Sequence, residues 1–234
     1  MSWLAKMIVS VEDGLKNDKT DSYSWHKKPW ECFPNDPDKK RDFLTRLDSM
    51  EGVFCLWMLA QEKPICPSWC LPENFSLKEI APSFLSHRYY AFDLRANPVK
   101  TISKRGLNDE ILYRANGKRK HGKRIPIVKI DELSAWIKRK GNIRCRDNVN
   151  GADVPGGFRI VEEYPLEIRP MTENYFRKVE KTDGKVHRAY HGSVQFRGTL
   201  EVTNQAHFSA TYHNGIGSAK GFGLGLFLLA PVNL

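Results

Sequence analysis

Five glycines fall within the eleven residues Gly215-Ile-Gly-Ser-Ala-Lys-Gly-Phe-Gly-Leu-Gly225, and an apolar run, 226–230, follows at once. A backbone with so few Cβ atoms can take positive φ and come close to another group. The run behind it has the character of a buried strand, which would hold the loop still. Lys220 places a positive charge in the middle of it. Two uses fit. One is an anion cradle of exposed N–H groups completed by the lysine. The other is a tight turn packing a helix against a sheet. The loop alone does not choose between them.

The order of the remaining segments restricts the fold. Residues 4–11 alternate and are rich in branched side chains, a strand pattern. Residues 12–20 are polar and read as a flexible loop. Asp21 or Ser22 can cap a helix over 23–31, which Pro29 should end or kink. Residues 33–37 form a turn. Residues 41–47, with Phe43, Thr45 and Leu47 on one side, and 53–60 read as strands around a turn at Gly52. Leu77, Ile80, Phe84 and Leu85 have helical spacing over 75–85, interrupted by Pro82, and 89–94 reads as a strand. This β-α-β-β-α-β order is the ferredoxin-like plan. After a polar, basic connector or surface hairpin at 97–122, the plan starts again. A strand is expected at 124–130 and a helix from Asp131 or Ser134 to a stop at Gly141. Strands follow at 158–164, 175–181, 186–190 (after an Asp-Gly turn at 182–185) and 194–202. Asn204 caps a helix to His213. The reading is therefore α+β, with ferredoxin-like domains at 1–97 and 123–234 joined by residues 98–122.

Charge narrows the partners. The 234 residues carry 37 Lys and Arg against 27 Asp and Glu, a net +10. That excess suits a polyanion, nucleic acid first and an anionic membrane surface second. No apolar run is long enough to span a bilayer. The first ten residues hold no basic region leading into an apolar one, so the expected location is cytoplasmic. The 5 cysteines are odd in number and irregularly spaced, as suits a compartment where thiols stay reduced. Cys66-Pro-Ser-Trp-Cys70 has the spacing of two metal ligands, but no matching second pair follows, and no metal is expected.

Among the 7 histidines, His26 has the most promising neighbours. Tyr23-Ser-Trp-His26 sets a phenol and an imidazole three residues apart on one helix face. Such a pair can exchange protons near neutral pH, and Lys27 and Lys28 add charge that attracts phosphate. The same spacing also fits an amphipathic helix with a surface histidine. Basic residues cluster at 118–124, at 138–146, and on the hairpin carrying Arg177, Lys178, Lys181, Lys185, His187 and Arg188. A basic two-stranded ribbon can enter a groove or follow a duplex backbone, or it can merely protect a sheet edge. Tyr175 and Tyr190 on that ribbon either stack on bases or cover the core; Phe176 is assigned to the core.

Four segments resemble the CasE family of CRISPR-associated endoribonucleases, of the RAMP superfamily. They are Tyr23-x-x-His26 with Trp30 and Phe33-Pro-Asn-x-Pro37; Arg41-Asp-Phe-Leu44; Leu94-Arg-Ala-Asn-Pro-Val-Lys-Thr101 with Arg124-x-Pro126 and Ala135-Trp136; and the glycine loop with Leu226 and Ala230-Pro231. The resemblance extends over nearly the whole chain. It implies two tandem ferredoxin-like (RRM-like) domains and cleavage of CRISPR repeat RNA at the base of its stem-loop. The product stays bound within the Cascade surveillance complex, and target DNA is met only through that complex. His26 is then the catalytic histidine, with Tyr23 its partner. Gly215, Gly217 and Lys220 belong to a signature loop near the site and the RNA. Lys27, Lys28, Arg95, Lys100, Arg177, Lys178, Lys185 and Arg188 complete the candidate RNA-binding set. The implied chemistry is attack by a ribose 2′-hydroxyl, leaving a 2′,3′-cyclic phosphate and a 5′-hydroxyl, with no cofactor. Residues 12–20 and 148–171 are longer than the family pattern, and Pro29 follows the histidine closely. Two other readings stand beside this one. The first is a subunit that binds hairpin RNA with His26 idle. The second is a general RNA-recognition module, whose basic-Gly-aromatic-Gly-aromatic submotif is matched only weakly by Gly221-Phe-Gly-Leu-Gly225.

Overall fold

The structure, a computed structural model, describes residues 2–16, 22–34, 40–106, 108, 110–117, 120–142, 145–146, 153–154, 156–170, 174–179 and 186–234. It begins with β1 (Ser2–Ser10), α1 (Val11–Lys16) and α2 (Ser22–Lys27), followed by β2 (Phe43–Met50), β3 (Val53–Ala60) and β4 (Phe75–Ile80). These four strands form one antiparallel sheet in the order β2-β3-β1-β4. The first-unit plan is therefore present, with two corrections. Val11–Lys16 is helical where a loop is expected, and the rest of that expected loop, 17–20, lies outside the described residues. The helix expected over 75–85 is β4 plus a 3-10 turn at Pro82–Leu85. Phe75 and Leu77 alternate with period 2, while Leu77, Ile80 and Phe84 suit period 3.6, and short apolar runs are ambiguous in this way. The edge of β1 decides the matter, because its backbone groups take β4 as their hydrogen-bonding partner.

Alternation gives this sheet two apolar faces. Ala5, Met7, Val9, Phe43, Leu56 and Met58 pack under α2 with Trp25, Cys32 and Phe33. Leu4, Leu44, Trp57 and Leu59 face the other way and join the core of the second unit.

That second unit opens with β5 (Tyr89–Ala96). A hairpin follows, β6 (Val99–Ser103) with β7 (His121–Pro126), then α3 (Ile130–Asn142) and the short pair β8 (Cys145–Arg146) and β9 (Asp153–Val154). Next come β10 (Phe158–Ile160), β11 (Glu167–Pro170), the ribbon β12 (Asn174–Val179) and β13 (Val186–His191), β14 (Val194–Val202), α4 (Gln205–Asn214) and β15 (Phe227–Val232). The sheet runs β10-β14-β5-β15, with β11 also on β14. Taking β5 as first strand, β10 and β11 as second, β14 as third and β15 as fourth, both sheets have the same strand order, and each is ferredoxin-like. Residues 89–94, expected to close the first unit, instead begin the second. The strand expected at 124–130 ends at Pro126 and, among the described residues, pairs with β6. By strand pairing the two units divide between Ile80 and Tyr89 rather than at residue 97, and 97–126 is an insertion within the second.

Local rules hold well at α4. The Asn204 side chain accepts from His207 N at 3.0 Å, Phe208, Thr211 and Tyr212 point inward, and Gly215 closes the helix at φ 69°. At α3 the helix runs one residue past Gly141, where Phe158 packs so closely that a Cβ would meet its carbonyl. The turn at 182–185 lies outside the described residues.

The units meet sheet to sheet. Arg46, only 3% exposed, pairs with Asp48 at 2.9 Å and with Asp93 at 2.7 Å. Asp93 also accepts from Gln195 and Arg197, while Arg95 pairs with Asp48 and donates to Leu47 O. Hydrogen bonds from Arg46 and Gln195 more than offset burial and hold the Asp93 carboxyl below the usual range.

Candidate active site and RNA interface

Among the described side chains, Trp25 anchors helix α2. Trp25 is buried and meets Phe54 and Trp69 edge to face, with centroids 5.5 and 6.0 Å away. The next residue points about 100° around the helix, so His26 faces the glycine loop instead of the sheet. Pro29 then moves the chain into a 3-10 turn, Lys28–Cys32, in keeping with the expected break.

The loop meets His26 at Gly221. His26 Nδ1 lies 2.5 Å from Gly221 O, and Phe222 stacks on the imidazole at 5.1 Å. Two unprotonated acceptors would repel at that distance, so Nδ1 carries the proton and donates it to the carbonyl. Nε2 is then the bare nitrogen of the neutral ring. Arg41 completes the cluster. It donates through Nη1 to Gly221 O at 2.9 Å, through Nη2 to Lys220 O at 3.4 Å and Thr45 Oγ1 at 3.3 Å, and through Nε to Phe43 O at 3.2 Å. Its Nη1 is 3.2 Å from His26 Nδ1. Burial brings the Arg41 pKa down to about 10, which leaves the group charged at neutral pH.

Near His26 the loop therefore presents carbonyls, and several of its N–H groups are taken up by backbone carbonyls of the loop and of β5. Ile216 N donates to Gly225 O, Phe222 N to Ala219 O and Gly225 N to Arg95 O. Of the two uses open for this stretch, the tight packing turn describes these contacts. Gly221 is the loop glycine whose missing side chain lies against the histidine. A Cβ there would sit 3.2 Å from Arg41 Nη1 and 3.3 Å from His26 Cε1.

The other candidates fall in three groups. Around the histidine, Tyr23 lies on α2 three residues before it, while the Tyr23 side chain is outside what is described. Lys27 is exposed, Lys28 pairs with Glu31 at 2.8 Å, and Lys220 is half-buried on the loop. Gly215 and Gly217 have positive φ, 69° and 89°, Gly215 as the α4 cap and Gly217 beside Trp136. The ribbon forms the second group. Arg177 pairs in register with Arg188, and β12 runs beside α2. Lys185, like Lys118, Arg119 and Arg144 of the other basic clusters, lies outside the described residues. The third group has its charge engaged. Lys100 pairs with Glu132 at 2.6 Å, and the Arg95 guanidinium is taken up by Asp48 and Leu47 between the sheets. Arg95 thus bridges the two units. Arg41 is the residue that sequence reasoning left without a role. It stood in a quoted motif, but its carbonyl partner lies 180 residues further along the chain.

Two ferredoxin-like units joined sheet to sheet, with a histidine of the first clamped by a glycine loop of the second, define an α+β protein of the RAMP type. Residues 2–231 match the family model described as CRISPR associated protein. The Cascade subunit CasE of Escherichia coli K12 is 30% identical over 231 residues, 98% of this chain and 100% of that protein. The CRISPR-associated endoribonuclease Cse3 of Thermus thermophilus is 25% identical over 239 residues, again 98% and 100%. The chain belongs to the CasE family of CRISPR-associated proteins. The fold agrees: the crystal structure of Cas6e from Escherichia coli K-12 matches with TM-score 0.64 at 23% identity, covering 99% of this chain and 100% of that one. Thermus thermophilus Cse3 bound to an RNA representing a pre-cleavage complex matches at 0.64 and 24%, covering 98% and 99%.

Proposed function

We propose that the protein is a metal-independent endoribonuclease that cuts CRISPR repeat RNA at the base of its stem-loop. It then retains the product as a Cascade subunit in the cytoplasm, meeting other subunits directly and target DNA only through the complex. The observation that carries this reading is the clamped His26. With Nδ1–H held by Gly221 O, the neutral ring offers Nε2 as a base for a ribose 2′-hydroxyl, and the protonated ring offers Nε2–H to the leaving 5′-oxygen. Tyr23, one turn earlier in the helix, would orient the nucleophile or share the proton transfer. Lys27 and Lys220 supply positive charge for the phosphorane. The basic ribbon beside α2 offers a track for the stem's phosphates. Membership of the CasE family and the names of its relatives support the same activity. No helix among the described residues is long and apolar enough to cross a membrane.

The test is single-turnover cleavage of the cognate repeat RNA in EDTA. A single cut that survives the chelator is expected. His26→Ala should slow it by roughly a hundredfold to ten-thousandfold, the range for losing a general acid or base, with little change in RNA affinity. Tyr23→Phe should lose less. One 2′-deoxy nucleotide before the cut should block cleavage and spare binding. Full activity in His26→Ala would reduce the protein to an RNA-binding subunit.

A further inference from the structure

We infer that Arg41 is a positioning residue for cleavage: shared with His26 on the Gly221 carbonyl, it fixes the imidazole in the Nδ1–H tautomer and so leaves Nε2 as the unprotonated nitrogen. The inference rests on the nuclease reading above and goes one step further. A carbonyl oxygen has two lone pairs, and Gly221 O receives His26 Nδ1–H at 2.5 Å and Arg41 Nη1–H at 2.9 Å. Arg41 is itself held from several sides. Phe43 O and Thr45 Oγ1 fix it to the first sheet, and its guanidinium lies 4.8 Å over the Phe43 ring. It therefore ties the start of β2 to the loop and presses the Gly221 carbonyl against the helix that carries His26.

Arg41 also disfavours the other tautomer by geometry. If the proton sat on Nε2, the bare Nδ1 could accept from Arg41 at 3.2 Å, but it would then face Gly221 O lone pair to lone pair at 2.5 Å. The arginine holds that carbonyl in place, so the ring answers with Nδ1–H. Without it, the carbonyl can swing away and the ring can rotate or exchange tautomers. A misplacement of about 1 Å in a reacting group costs on the order of a hundredfold in rate.

The experiment compares Arg41→Met, Gly221→Ala and His26→Ala with the parent. It reads single-turnover cleavage at saturating enzyme, Kd for an uncleavable 2′-deoxy hairpin, and the imidazole 15N shifts of His26. Arg41→Met should cut about tenfold to a hundredfold more slowly, with Kd within about threefold. The parent should show the proton on Nδ1, and the variant a mixture of tautomers. Gly221→Ala keeps the arginine but wedges a methyl between it and the ring. It should lose cleavage in the same way, and it tests the contact even if Arg41→Met fails to fold. An inactive His26→Ala beside unimpaired Arg41→Met or Gly221→Ala would overturn the positioning role alone. An unchanged tautomer with cleavage falling only in step with affinity would overturn it too. Full activity in His26→Ala would remove the nuclease reading and this inference with it.

Discussion

His213 offers a second imidazole to set beside His26. At the end of α4 its Nδ1 donates to Ser209 O at 2.7 Å, leaving Nε2 to accept from Ser2 Oγ at 3.0 Å. Burial is the main reason that its pKa lies below the ordinary 6.5. The unfolded chain takes up a proton near pH 6.5, and the folded one only at lower pH. The stability it contributes is thus complete above pH 6.5 and is lost as pH falls through the lower native value. One such proton changes stability by at most about 1.4 kcal/mol per pH unit, or a few degrees in Tm at this chain length. Between pH 7.5 and 5.5 the parent's Tm should therefore fall more steeply than that of His213→Gln. Equal slopes would show that His213 does not carry the effect. Residue by residue, legibility followed the range of the interaction. Asn204 and Gly215 act within one turn of α4 and could be read from their types. His26 was singled out by its spacing from Tyr23 and by the family motif. Arg41 was not, because nothing near it in sequence shows that a carbonyl of the last helical turn before β15 will be its partner.

At the scale of elements, the β12–β13 ribbon carries its own prediction. Arg177 and Arg188 are register partners with Lys178 beside them, and β12 runs along α2. An A-form major groove is deep and narrow, so a ribbon there meets mostly phosphates. Replacing Arg177, Lys178 and Arg188 together should weaken hairpin RNA binding by about 1 kcal/mol per lost phosphate contact. It should also flatten the slope of log K against log salt by about 2 to 3. Parent-like affinity across the whole salt series would place the stem elsewhere. The ribbon was readable because alternation and an Asp-Gly pair are local signals. β4 and β5 were misread for the opposite reason. The spacing of Leu77, Ile80, Phe84 and Leu85 fits a helix, and only the edge of β1, more than sixty residues earlier, turns Phe75–Ile80 into a strand. Once that strand is missed, Tyr89–Ala96 is counted into the wrong sheet, although its own pattern was read correctly.

The whole molecule depends on the seam between the sheets. Arg46 is buried between Asp48 and Asp93, and removing one member of a buried ionic pair leaves its partner uncompensated. Arg46→Met should cost about 3–5 kcal/mol in denaturant unfolding, and adding Asp93→Asn to the same chain should restore part of it. A loss under about 1 kcal/mol would mean that the apolar contacts of Leu4, Leu44, Trp57 and Leu59 hold the seam by themselves. The number of units was legible from element order, whereas the charges of the seam were not, since they come from three strands of two different sheets. The bond between His26 and Gly221 spans 195 residues. Protein synthesis is vectorial and early domains fold first. A chain still on the ribosome thus displays His26 on its folded first unit long before the carbonyl that orients it has been made. Cleavage that depends on this bond should therefore begin only after the loop carrying Gly221 has been made and has closed on the first unit.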